Sequence, residues 1–463
     1  MAAHRQLPAL GARFLNLTAL LAVAAAGVTP WSAPAALSPC AGEPAARVVF
    51  PSDSPSQATG AGAIVWSAAA GCAGGEGARV AGIGAGDVPG ASAIARTAAG
   101  RPLPAHGPLL AGGAPHGQIV IAGSAPGDAT AGLLVQGAVG GPFAALQPVG
   151  ASTAPLALAT AYLGDVALAS APARARDEGV KATSGFDVHV ERFYSNRFAR
   201  DVTARAAGSA PVQELTLAMD YRSEVLAVWV QSGAIYARLL PGRGAARPLQ
   251  RLARVGEHPH IAALLSDDGR AIVVWSERRG AQTSVYIDRS GSGVHFGAAQ
   301  LLERVEDPDG LTAPAASPSL VRLSSESVML AWAGSAAGRW VVRTASVDMS
   351  GLGIVGTIAA PGADVLLGCL AAGPAADALV LWTQPLPSAT GLPDLEHESI
   401  FAARGFDAAH QRAAFGAPEL VAAPATVHDL SAAFDPDSDR AVAVWQGEAG
   451  RIEYSVRAHS ATP

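Results

Sequence analysis

The chain has 463 residues, half of them apolar and 15% charged, with 52 glycines and 33 prolines. That composition excludes a largely disordered chain, and the glycine and proline content excludes long uninterrupted helices and points to short strands joined by many turns. A net charge of −6 excludes a general nucleic-acid binder, which needs a basic face to neutralise phosphates.

The chain opens with His4, Arg5 and Arg13 ahead of an apolar run from Phe14 to Val28, followed by small residues and prolines. Charge, apolar run and small residues in that order are the pattern of a secretory signal, with cleavage after Ala26 or after Ala35. The run of about fifteen residues is too short for the roughly 20 that span a bilayer. The expected division is therefore 1–35 as signal peptide and processing region and 36–463 as a single domain, with an extracellular or cell-surface destination. Of the three cysteines, Cys40 and Cys72 are placed to pair in an oxidising compartment, or all three stay free, and Cys369 lies in an apolar run as a small core residue. No cysteine and histidine spacing matches a zinc site.

From Trp66 onward one pattern recurs. Trp66, Trp229, Trp275, Trp332, Trp382 and Trp445 each end a short apolar run, and Ile121 and Leu168 take the tryptophan's place in two similar runs. The eight units lie 46 to 63 residues apart, about 54 on average. One unit shows the internal plan: Pro259 to Ser266, a turn at Asp267-Asp268-Gly269, Arg270 to Trp275, Ser284 to Asp288 and Phe296 to Leu302 read as four antiparallel strands. The second of these is apolar at consecutive positions, so both faces need cover, whereas a strand with one wet face alternates. Four-stranded sheets repeated eight times and covered on both sides are satisfied as an all-β propeller of eight blades. Seven blades with an N-terminal cap is the alternative count. The last unit stops after three strands, and Ala46 to Phe50 is the segment expected to supply its fourth and close the ring.

The strand ending in tryptophan and the motif Phe296-Gly297-Ala298-Ala299-Gln300-Leu301, echoed at Phe415-Gly416-Ala417-Pro418-Glu419-Leu420, resemble secreted bacterial β-propellers of the sialidase-like type. A degenerate form of that family's Asp box is present as Asp288, Gly291, Gly293 and Phe296, which the resemblance places in the turn between third and fourth strands. The resemblance implies a propeller and leaves a glycoside hydrolase as one expectation for its activity.

The tryptophans read as core because their neighbours are aliphatic. Arg192, Arg238, Arg289, Arg343, Arg404 and Arg457 recur at the end of the third strand and read as structural. Ligand contacts are expected on the face carrying the second-to-third-strand loops and the connections between blades, where loop length varies most. The candidates there are Glu257, His260, Arg278, Arg279, Asp364, Glu396, Glu398 and Asp429. Glu277-Arg278-Arg279 and Thr383 to Ser399 are expected as loops. No catalytic residue, metal ligand or cofactor motif is assigned, since no nucleophile elbow, H-E-x-x-H or Walker A sequence occurs. Asp435 to Asp439 reads as a hairpin turn rather than a calcium loop, because Arg440 stands where the turn glycine belongs. The expected function is a secreted, monomeric binding scaffold for a glycan or an extracellular protein. A sialidase-like glycoside hydrolase and a purely structural surface protein are the alternatives.

Overall fold

The computed structural model describes residues 30–38, 46–51, 62–68, 72, 75–84, 88–103, 106–124, 132–149, 155–161, 163–171, 188–194, 197–204, 210–306, 317–324, 327–336, 339–348, 351–358, 365–373, 376–387, 393–408, 412–425, 427–436, 438 and 440–458. Asp364 and the charged stretch from Arg174 to Lys181 lie outside them.

The chain folds into eight antiparallel sheets that follow one another in sequence, as eight blades of a propeller. The second strands behave as the continuous apolar runs require. Gly62–Ala68 and Val225–Gln231 are buried along their whole length, and the six recurring tryptophans are at most 1% exposed. Alternation along a strand sends successive side chains to opposite faces, and here each face meets a different neighbour. Val225, Ala227 and Trp229 of blade 4 pack with Ala167 and Ala169 of blade 3, while Leu226, Val228 and Val230 pack with Ala271, Val273 and Trp275 of blade 5. The same division closes the circle, because Val442 and Val444 of blade 8 pack with Ile64 and Trp66 of blade 1. Each tryptophan therefore covers the preceding blade. Three of them stack on the aromatic directly opposite in the third strand: Trp229 on Tyr236, Trp275 on Tyr286 and Trp382 on Phe401, with centroids 5.5 to 5.9 Å apart.

Closure differs from the sequence expectation. Arg47–Val49 pairs with Gly62–Ala68 as the innermost strand of blade 1. The missing strand of blade 8 is Ala35–Ser38, antiparallel to Ile452–Arg457. Trp31 is buried and bridges to Arg457, its Nε1 donating to Glu419 at 2.9 Å. The physical reason is that every blade needs an apolar inner strand before its tryptophan strand, and Ala46 to Phe50 is the segment that supplies it for blade 1. The short, small-residue sequence of Ala35–Ser38 suffices for an outer strand. Cys72 is disulfide-bonded and Cys369 is free; Cys40, the partner expected from the sequence, lies outside the described residues.

The strand limits also differ from expectation. In blade 5 the second strand is Ala271–Arg279, paired to its end with Gln282–Ser290, so Glu277, Arg278 and Arg279 belong to a strand rather than to a loop. In blade 7, Asp377–Pro387 and Pro393–Ala408 form a long hairpin, placing Glu396 and Glu398 on a strand. Pro393–Ala408 also has two outer partners, Arg412–Phe415 and Glu419–Ala425. Hydrophobic pattern ends at the tryptophan in both blades, while backbone pairing continues into polar sequence. Among the described residues no helix is long and apolar enough to cross a membrane.

Candidate functional site

The inner strands all run the same way, so they define two ends of the central axis. The upper end, where inner strands begin, carries the connections between blades and the second-to-third-strand turns. The lower end carries the first-to-second-strand and third-to-fourth-strand turns.

At the upper end, six blades shift register between first and second strands close to where the inner strand begins. Such bulges re-aim side chains near a rim. His258 and Asp429 follow this rule, with φ of 46° and 51° at the shifts of blades 5 and 8. Glu257 is exposed and pairs in register with Arg278. Arg278 donates Nε to the Gly280 carbonyl at 2.8 Å, and Arg279 pairs with Glu277 at 2.9 Å while donating to the Arg254 carbonyl. Glu277 is buried and accepts the Gly256 amide at 2.8 Å. Arg278 is thus held within blade 5, while Arg279 also ties that blade to the outer strand of blade 4. Asp429 is exposed on blade 8 and Glu398 half-buried on blade 7, two and three blades round the ring from this group; the side chain of Glu396 and all of Asp364 lie outside the described residues.

His260 has a partner that the sequence reading missed. Its Nδ1 lies 3.7 Å from Glu214 Oε2 on the inner strand of blade 4, and Glu214 Oε1 accepts the Ile261 amide at 2.9 Å. Burial pushes the Glu214 carboxyl up from 4.5 to about 7, against the lowering pull of the Ile261 amide. Burial, then the neighbouring His258, lowers the His260 pKa. Near neutral pH this junction holds a carboxyl in mid-titration beside an imidazole whose charged form burial disfavours.

The lower end holds a cavity of about 690 Å³, lined by the ends of inner strands from blades 3, 4 and 5 and by Arg322 of blade 6. Leu158, Leu217, Met219 and Leu265 give it aliphatic walls, and Thr160, Asp220, Tyr221, Asp267 and Arg322 a polar side. Arg322 pairs with Asp267 at 2.6 Å and also donates to the Leu265 carbonyl, while Asp267 accepts the Tyr221 amide at 3.3 Å. These bonds join blades 4, 5 and 6 along one rim. Tyr221 is 43% exposed, and the Arg222 guanidinium sits 5.2 Å above its ring. The hollow is open and its lining is polar and apolar in nearly equal parts, with aliphatic walls beside a few fixed polar groups as small-molecule sites carry. Its position is opposite to the face on which ligand contacts were expected.

The recurring third-strand arginines are structural. Arg192 is buried and donates to the carbonyls of Ser223, Leu240 and Pro241; Arg404 pairs with Asp377; Arg457 makes two bonds to Glu419. Asp288 accepts the Arg289 and Gly297 amides across the third-to-fourth-strand turn, at 2.7 and 3.1 Å. Asp435 and Arg440 form a buried pair at 2.9 Å across the hairpin turn of blade 8. Among the described residues no group of three or more His, Cys, Asp or Glu is placed to hold a metal ion.

No protein-family model matches the chain, and no curated protein matches it. Solved structures similar to it include a prolyl endopeptidase (13% identity, 71% of this chain and 44% of that one, TM-score 0.40) and the sialidase of Trypanosoma rangeli (9%, 68% and 56%, 0.33). A third is the six-bladed fucose-binding lectin of Aleuria aurantia (10%, 67% and 97%, 0.34). The chain spans about half the length of the first two. At these similarities the eight-bladed architecture rests on the sheets described above.

Proposed function

We propose that the protein is an exported, monomeric, non-catalytic propeller that binds a small amphipathic ligand, such as the terminal sugar of a glycan, in the lower axial cavity. The cavity itself carries this reading. Its size suits a sugar or a small drug-like molecule. The aliphatic walls suit a ring's C–H face, and Tyr221, Asp267 and Arg322 suit its hydroxyls. The disulfide at Cys72 supports an oxidising compartment. Processing after Ala26 keeps Trp31, whereas processing after Ala35 would remove it with its bond to Glu419.

The test is glycan-array binding beside a fluorogenic glycoside screen, using exported protein whose first residue is established by N-terminal sequencing. Binding without turnover, abolished when Leu217→Trp fills the cavity, is the expected result. A second reading, glycoside hydrolysis at the upper end, is favoured by Glu214 alone, because a carboxyl raised to about 7 stays partly protonated near neutral pH, as a general acid requires. Turnover lost in Glu214→Gln would establish it and overturn the binding-only reading.

A further inference from the structure

The corner after the inner strand is closed by the same backbone bond in several blades, and the closing residue varies: Arg270 in blade 5 and Arg440 in blade 8, but Asp165, Glu224 and Asp377 in blades 3, 4 and 7. In blade 8 the corner residue is Asp435, whose amide donates to the Arg440 carbonyl and whose Oδ2 receives the Arg440 guanidinium at 2.9 Å; each side chain is 4% exposed. In blade 5 the equivalent corner is Ser266, closed by Arg270, whose guanidinium pairs with Asp268. In both blades an arginine therefore precedes the second strand and neutralises an acid within the turn.

Blade 4 has the same backbone closure, with the Asp220 amide donating to the Glu224 carbonyl. Its residue at the arginine's position is Glu224. Asp220 lines the cavity, is 1% exposed, and accepts the amides of Arg222 and Glu224 through Oδ1 at 2.9 and 2.8 Å. Its Oδ2 is buried with no hydrogen-bond partner. The arginines of this neighbourhood are committed elsewhere: Arg322 to Asp267 and the Leu265 carbonyl, Arg222 to the Tyr221 hydroxyl, and buried Arg192 to the carbonyls of Ser223, Leu240 and Pro241. Burial raises the Asp220 pKa, and the negative charges of Glu224 and Asp267 raise it further. Asp220 is a buried carboxyl whose second oxygen lacks a donor, and a buried acceptor left in that state is costly.

We infer that the Asp220 corner receives the primary ammonium group of the cavity's ligand, which takes the place held by the Arg440 guanidinium in blade 8. The inference rests on the lower cavity being a binding site and specifies its ligand class: a primary amine on a small body, either an amino sugar or an aryl- or alkylamine. The ammonium supplies the donors that Asp220 Oδ2 lacks, and the aliphatic walls cover the body.

The test is calorimetric titration of the full mature chain with two matched pairs, glucosamine against glucose and phenethylamine against 2-phenylethanol. At least one amine should bind about tenfold or more tightly than its neutral counterpart, the loss expected when a charged hydrogen bond is absent. The pair showing the preference identifies the body. Asp220→Asn should erase the preference. Glu224→Arg, which builds the internal cation of blade 8 into blade 4, should also erase it while raising Tm, and it keeps the test valid if Asp220→Asn folds poorly. Equal binding of amine and neutral partner, or a preference that survives Glu224→Arg, overturns the inference and leaves the cavity reading standing. Failure of all four probes to bind, or binding that is unaffected by Leu217→Trp, overturns both.

Discussion

Glu214 makes stability depend on pH in a direction unusual for a carboxylate. Its folded pKa of about 7 lies above the ordinary 4.5, so between those values the folded chain keeps a proton that the unfolded chain has released. Its contribution is favourable at low pH and is lost as pH rises through 4.5 to 7. The shift corresponds to a ceiling of about 3 kcal/mol. Glu214 is 28% exposed, and solvent screening reduces the expected effect to about 2 kcal/mol. Glu214→Gln removes the titration and keeps an acceptor for the Ile261 amide. Urea denaturation of both proteins at pH 5 and pH 8 measures the difference. The glutamine variant should be the more stable at pH 8, with its advantage shrinking by about 2 kcal/mol at pH 5. His260, with its lowered pKa, loses stability as pH falls below 6.5, and because it lies 3.7 Å from Glu214 the comparison reads the pair. Parallel pH profiles would refute the claim that burial at the blade 4–5 junction holds this carboxyl protonated.

Three other outcomes follow from the packing. Trp275→Ala removes a ring 1% exposed and stacked on Tyr286, and should cost about 3–5 kcal/mol in chemical denaturation; an unchanged midpoint would contradict a core role. Arg440→Gln strands the buried Asp435 carboxylate and breaks the 2.6 Å bond to the Gly84 carbonyl of blade 1, with an expected loss of about 3–5 kcal/mol, partly restored by adding Asp435→Asn. Deleting residues through Ser38 uncovers the edge of Ile452–Arg457 and should lower Tm and produce self-association in size-exclusion chromatography, where an unchanged monomer would argue against closure by that strand.

The blades were legible because a strand apolar at every position has no water-facing side, and that constraint is local. Ring closure was not, since Ala35–Ser38 has neither bulk nor alternation to mark it and begins at the last residue of the segment that the targeting pattern claims. Arg278 and Arg279 read as loop because polarity was taken as the end of the strand, whereas their pairing with Thr283 and Gln282 extends it. The candidate site was the least legible part. Glu214 acquires its environment from Ile261 and His260 on the next blade, and Asp267 its partner from Arg322 on another. Glu224 gave no signal of its own, since the sister turns carry Asp165 and Asp377 as well as Arg270 and Arg440 at that position.

A final blade assembled from both ends of the chain imposes an order on biosynthesis. Ser32 and Ser455 lie 423 positions apart in sequence and bond in the finished ring. The leading strand emerges first but has no partner until nearly the whole chain has been made, so contacts within each sheet form early and this long-range docking comes last. Throughout that interval the incomplete ring presents an open edge, through which one chain can pair with another.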